Sequence, residues 1–225
     1  MSVELLERLE IDPPAPPHGS VIWLHGLGAD GHDFEPLVRQ WDLVGRHHIR
    51  FVLPHAPARP VTLNGGAVMR AWYDILDMEF DRQEDEAGIR QSARQLEALI
   101  AAELDRGVPP GRIVLAGFSQ GGAIALHTGL RHARPLAGIL GLSTYLPLAA
   151  TLEAEMNPLQ RATPVRMDHG EQDPLVPLAL ARRSAQRLES LGVPVEFHTY
   201  AMGHSLCPAQ IDSLYGWLRQ RLGRV

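Results

Sequence analysis

The chain has 225 residues, of which 45% are hydrophobic and 21% charged, and its formal net charge is −5. These values fit a folded globular protein, exclude a wholly disordered chain, and lack the bulk positive field that nucleic-acid binders carry. All 21 basic residues are arginine, which excludes a Schiff-base, P-loop or kinase lysine, and the one cysteine, Cys207, excludes an internal disulfide and a cysteine-rich zinc site.

The length suits one compact domain spanning residues 1–225. Met1 to Asp12 carries Glu4, Glu7, Arg8 and Glu10 among its apolar residues, so it does not read as a secretory signal. No apolar run approaches the ~20 residues of a membrane span, so a cytoplasmic protein without stable membrane insertion is expected. The cluster Pro13-Pro14-Ala15-Pro16-Pro17 stiffens a connection, and the stretch before His18 carries no other usable motif.

Ser20–His25 then reads as a buried strand. It runs into His25-Gly26-Leu27-Gly28-Ala29-Asp30-Gly31, a glycine-rich loop open to two uses. As G-x-G-x-x-G it could cradle a dinucleotide, but that fingerprint wants an acid at the end of the second strand. As H-G-x-G it could offer a backbone N–H, that of Leu27, to an oxyanion. A helix is expected over Phe34–Leu43, capped by Asp33. The second strand, Ile49–Leu53, ends in Pro54-His55-Ala56-Pro57 without a carboxylate, which weakens the dinucleotide alternative.

From His55 to Gln83 no periodicity is visible, although the segment holds Met69, Trp72, Tyr73, Ile75, Leu76, Met78 and Phe80. A long irregular loop rich in large apolar side chains suggests a lid or a substrate wall. Glu84–Leu104 is the longest predicted helix, with Ile89, Ala93, Leu96, Leu99, Ile100 and Leu104 at helical spacing and Gly107 and Pro109-Pro110 as stops.

The strand Arg112–Ala116 leads into Gly117-Phe118-Ser119-Gln120-Gly121, a G-x-S-x-G pentapeptide that opens a helix over Gln120–Leu130. Strand, sharp turn and helix are the context this motif needs, because the serine must project from the sheet edge while flanking glycines let backbones approach. Ser119 is therefore the candidate nucleophile. The N–H of Gln120, just after it, is the second candidate oxyanion donor.

Gly138–Leu142 is a further buried strand, and Pro164–Met167 and Val195–Tyr200 look like strands nearer an edge. Between the last two lies Met167-Asp168-His169-Gly170-Glu171-Gln172-Asp173-Pro174. Asp173, in the loop beyond Gly170, is the preferred orienting acid, with Asp168 or Glu171 as alternatives. Asp168, in or at the end of the strand, reads more as a scaffold partner. A helix over Pro177–Leu191 precedes the last strand, and one over Ala209–Leu222 follows it.

A serine needs a histidine to take its proton, and a hydrolase of this architecture orders the three groups Ser, acid, His. His127 and His132 lie within or just past the helix after Ser119 and should point away from its hydroxyl. His169 sits beside the acids, and His198 lies within the last strand. His204, in the loop Ala201-Met202-Gly203-His204-Ser205, is left as the base.

Strands alternating with helices predict an α/β fold, a mostly parallel central sheet with helices on both faces, with its site at the carboxyl ends of the strands. The combination H-G-L-G-A-D-G-H-D-F, R-A-W-Y-D, G-F-S-Q-G-G, H-G-E-Q-D-P-L-V-P and G-H-S resembles the phospholipase/carboxylesterase family of small α/β-hydrolases, which includes acyl-protein thioesterases. The resemblance implies Ser119, Asp173 and His204 as a triad, with Leu27 and Gln120 as oxyanion donors. It also implies that the loop holding Trp72, together with Leu175, lines an acyl groove. It suggests a homodimer.

The expected activity is hydrolysis of esters or thioesters with an apolar acyl group through an acyl-enzyme, needing neither metal nor organic cofactor. The alternatives are an acyl-protein thioesterase or lysophospholipase acting on long chains, and a non-catalytic binding protein on the same fold. Cys207 receives no role beyond that of a small buried hydrophobe.

Overall fold

The structure, a computed structural model, describes residues 5–77 and 83–223. Among the described residues the strands are β1 (Arg8–Ile11), β2 (Gly19–Leu24), β3 (Ile49–Pro54), β4 (Ala58–Val61), β5 (Ala67–Arg70), β6 (Ile113–Phe118), β7 (Gly138–Leu142), β8 (Val165–Gly170) and β9 (Val195–Tyr200). The helices are α1 (Glu35–Gln40), α2 (Leu43–His47), α3 (Glu86–Asp105), α4 (Gln120–Gly129), α5 (Leu152–Glu155), α6 (Leu178–Ser190) and α7 (Pro208–Leu222).

Seven strands form one sheet in the order β1-β3-β2-β6-β7-β8-β9. All its pairings are parallel except that of β1 with β3. Strand periodicity divides the core. Ile22, Leu24 and Leu115 pack on one face against Ile89, Leu96 and Leu99 of α3 and against α4. Val21, Trp23 and Val114 pack on the other against Val38 of α1, Leu43 of α2 and Leu218 of α7. With helices on both faces the inner strands are buried along their whole length, which is why they read as continuous apolar runs.

Several elements differ from the sequence expectation. The N-terminal stretch supplies β1, and its acids Glu10 and Asp12 pair with the fully buried Arg50 of β3, which also bonds Glu103 of α3. The segment from His55 is not wholly irregular. β4 and β5 form an antiparallel hairpin in register Pro60↔Val68, turning at Gly65 and Gly66 with φ of +65° and +80°. Each strand has four residues and one contains proline, so no clean alternation marks them. Met78 and Phe80 lie outside the described residues.

The predicted helix Phe34–Leu43 is two short helices broken at Trp41, and its first N-cap is Phe34 rather than Asp33. Phe34 and Trp41 instead pack their rings against Trp23, at 4.8 and 6.1 Å. β8 is an inner strand that runs on to Gly170, whereas β9 does lie at the edge. Arg166 and Asp168 interrupt the apolar run of β8, yet both are buried because each neutralises the other.

Candidate active site

Strand β6 ends at Phe118 and α4 begins at Gln120, so Ser119 alone makes the turn between them. Its φ of +53° and ψ of −121° are disfavoured for a side-chain-bearing residue, a strain of about 1–3 kcal/mol that the surroundings must hold. They do so in two ways. Ser119 N–H donates to Leu142 O at 2.8 Å, and Thr144 Oγ1 donates to Ser119 O at 2.7 Å. A Cβ on Gly117 would stand 2.3 Å from the Gly121 carbonyl carbon, and one on Gly121 would stand 2.4 Å from Leu24 O. The two glycines therefore let strand, turn and helix close on one another and on the end of β2.

The loop after β9 presents His204, whose Nδ1 lies 2.7 Å from Asp173 Oδ2. The other carboxylate oxygen, Oδ1, accepts the N–H groups of Leu175 and Val176 at 2.9 Å each. Burial by itself pushes the Asp173 pKa up. The hydrogen bonds from His204, Val176 and Leu175 outweigh it and hold the carboxyl below its ordinary value. The Phe118 ring packs on the His204 imidazole with centroids 4.8 Å apart.

The other sequence candidates fall elsewhere. Asp168 is bound in a two-pronged pair by Arg166 at 2.8 and 2.9 Å, and Glu171 is exposed and accepts from Thr199 Oγ1. His127 sits in α4 beside Arg90 and Arg131, His132 pairs with Glu97, and His198 lies on β9. His169 has a supporting place that its position in sequence did not reveal. It is buried, its Nε2–H donates to Val176 O at 2.8 Å, and the same nitrogen is 3.4 Å from Asp173 Oδ2. It thus fixes the loop that carries the carboxylate.

Ser119, His204, Leu27 and Gln120 all line one cavity of about 370 Å3. Its walls are largely apolar: Leu63 from the hairpin region, Tyr73 and Ile75 beyond it, Phe118, and Val176 and Leu175 after the acid. Leu175, 54% exposed, stands at the rim. Trp72 corrects the expectation. It is only 1% exposed, does not line the cavity, and donates its indole N–H to His25 O at 2.9 Å, leaving the wall to Tyr73 and Ile75.

The glycine loop after β2 is packed rather than open. A Cβ on Gly31 would meet Leu53 O at 2.3 Å, so the third glycine of the dinucleotide pattern serves contact with β3, and the helix that follows has only six residues. Among the described residues no group of three or more His, Cys, Asp or Glu side chains is gathered to hold a metal ion, and no helix is long and apolar enough to cross a membrane.

Residues 7–222 match the phospholipase/carboxylesterase family. The chain belongs to that family. This member is 42% identical over 220 residues to acyl-protein thioesterase 1 of Gibberella zeae, covering 93% of this chain and 94% of that one. Among solved structures, acyl-protein thioesterase 2 of Zea mays superposes with a TM-score of 0.86 at 29% identity, covering 97% of this chain and 100% of the other. Esterase PE8 does so with a TM-score of 0.84 at 30% identity, with the same coverages. This family member is an α/β-hydrolase and a carboxylic ester hydrolase of the serine type, which removes the non-catalytic alternative.

Two parts of its site were hidden in the sequence. Leu63 is not singled out there, whereas Tyr73 and Ile75 belong to the aperiodic stretch read as a lid or substrate wall. The backing of the acid by His169 depends on β8 running three residues further than its apolar run. The four-residue spacing of His169 and Asp173 was the available signal.

Proposed function

We propose that this family member hydrolyses thioesters and esters of long apolar acyl chains, with Ser119, His204 and Asp173 as its triad. The observation that carries the proposal is an imidazole bonded at 2.7 Å to a carboxylate that two backbone N–H groups hold, in the same apolar cavity as a strained turn serine. His204 takes the Ser119 proton as Oγ attacks the acyl carbon. The carbonyl oxygen, now negative, is held by the N–H groups of Leu27 and Gln120. Collapse of this intermediate breaks the bond to the leaving thiol or alcohol, which takes the proton from His204. Water, deprotonated by His204, then releases the acid by the same steps. Asp173 holds the ring tautomer and stabilises the imidazolium.

Protein thioesters rank above small esters as substrates. The 42% identical relative carries the name acyl-protein thioesterase, and the exposed apolar Leu63 and Leu175 at the cavity suit an acyl chain entering from another macromolecule. Small carboxylic esters remain a second reading because esterase PE8, at 30% identity, shares the fold over 97% of this chain. The test compares turnover of p-nitrophenyl esters of rising chain length with that of an S-palmitoyl peptide, using wild type and Ser119→Ala. The proposal expects the peptide and the long esters to be favoured and Ser119→Ala to be inactive though folded. Preference for acetyl or butyryl esters, with the peptide untouched, would select the second reading. Full turnover by Ser119→Ala would discard the triad.

A further inference from the structure

The two backbone donors assigned to the oxyanion come from separate parts of the chain, the loop after β2 and the first residue of α4. Neither loop by itself sets the distance between them. The segment Arg70–Tyr73 touches both. On the side of the β2 loop, Trp72 Nε1–H donates to His25 O at 2.9 Å and Gly28 N–H donates to Arg70 O at 2.9 Å, so Leu27 is bracketed from both directions. On the α4 side, Trp72 N–H donates to Gln120 Oε1 at 2.7 Å, and Gln120 Nε2–H donates to Tyr73 O at 2.7 Å. The side chain of the very residue whose N–H is a donor is thus held at both its ends.

The strap is itself anchored. Ser92 Oγ of α3 donates to Trp72 O, and Ala71 N–H donates to Pro57 O at 3.1 Å. His25 is fixed in turn, since its Nε2 accepts Ala56 N–H at 3.0 Å and its Nδ1 lies 2.7 Å from Gly26 O. Trp72 and Gln120 are 1% and 3% exposed, so these bonds are shielded from water, and losing one leaves a buried polar group unpaired.

We infer that Trp72 and the Gln120 side chain are positioning residues, a brace that sets the spacing of the Leu27 and Gln120 N–H groups and so the fit to the tetrahedral oxyanion. This rests on the triad and oxyanion assignment above. Neither side chain touches the reacting atoms in this account. They act through backbone that must be in place before charge develops, which is where such donors gain their effect. The expectation that Trp72 lines the acyl groove is replaced by this role.

The test uses Trp72→Phe, which keeps an aromatic ring and loses the N–H, and Gln120→Met, which keeps side-chain length and the backbone donor and loses both clamps. Each variant should lower kcat roughly 10- to 100-fold, short of the full loss of a donor, while KM stays within about twofold. Affinity for a long-chain alkyl trifluoromethyl ketone, which adds Ser119 to give a tetrahedral oxyanion, should fall by the same factor. Affinity for the matching alkyl ether, which has no carbonyl, should not change. Should Trp72→Phe fail to fold, Gln120→Met carries the measurement, with its melting temperature as control. Unchanged kcat in a folded variant, or equal loss of ketone and ether affinity, would overturn the brace alone. Full activity of Ser119→Ala would overturn the site assignment on which it stands.

Discussion

Replacing Asp173 by asparagine tests the site at its most constrained point. The side chain keeps its shape but loses one acceptor. In the wild type Oδ1 takes the N–H groups of Leu175 and Val176 at 2.9 Å, and Oδ2 takes His204 at 2.7 Å. The amide can orient in two ways. With its NH2 towards Leu175 and Val176, donors face donors, and two buried N–H groups go unpaired at about 1–3 kcal/mol each. With its oxygen on those groups, the NH2 faces His204 Nδ1, which must then be the bare nitrogen. The second orientation wins and places the ring proton on Nε2, the nitrogen that in the proposed mechanism has to accept the proton of Ser119. The expected loss is about 10⁴-fold in kcat, or about 5 kcal/mol, in a protein that still folds. Steady-state hydrolysis of a long-chain p-nitrophenyl ester, with active sites counted by a fluorophosphonate probe, measures it. A folded Asp173→Asn enzyme within tenfold of wild-type kcat would refute the assignment.

Three further outcomes follow from the same contacts. Asp168→Asn removes the charge that balances the buried Arg166 and one of the two acceptors it uses there, while the bonds of Arg166 to Ser213 and Tyr200 stay. It should cost about 3 kcal/mol in urea denaturation and leave kcat of the folded fraction intact, and a selective loss of kcat would move the acid to residue 168. Gly121→Ala puts a methyl 2.4 Å from Leu24 O and 2.5 Å from His25 O, both backbone atoms that cannot turn aside. It should destabilise by about 3 kcal/mol or more and lower activity, and a thermal melt at the wild-type temperature would contradict that packing. Acid should weaken the fold above the carboxylate range. Burial lowers the His25 pKa from 6.5 to about 4 and that of His127 from 6.5 to about 3. Below pH 6.5 the unfolded chain therefore binds protons that the native one refuses, so stability present at pH 7 is lost as pH falls towards 4 and then 3. His25 alone contributes about 3 kcal/mol, and His127→Gln should flatten the curve. Equal urea midpoints at pH 7 and pH 4.5 would contradict it.

The inner sheet was legible because burial on both faces leaves a continuous apolar signature, and β2, β3, β6 and β7 were each found within two residues of their ends. What escaped was stabilised by partners distant in sequence. β1 carries charges whose partner, Arg50, lies about forty residues on, and in the sequence those charges read only as polar. β8 seemed a short edge strand because Arg166 and Asp168 break its pattern, and only a pair that satisfies itself explains their burial. The break of the first helix at Trp41 follows from ring packing on Trp23, a contact that local propensity does not encode.

The site divides along the same line. Ser119, Leu27 and Gln120 stand out as candidates because each sits in a local pattern whose glycines have a steric cause, such as the 2.3 Å approach at Gly117. Asp173 and His204 stand out as candidates through chain order, and the structure brings the two side chains to 2.7 Å. Trp72 was misread for a physical reason. A large aromatic residue in a stretch without periodicity suggests a wall, yet along extended chain successive side chains point to opposite sides. Tyr73 faces the cavity, so Trp72 faces inward, where its N–H must find an acceptor. The acceptor is a backbone carbonyl 47 residues earlier. No side-chain pattern can announce a bond with a main-chain group, and each bond that joins the β2 loop to the start of α4 has a main-chain group on at least one side.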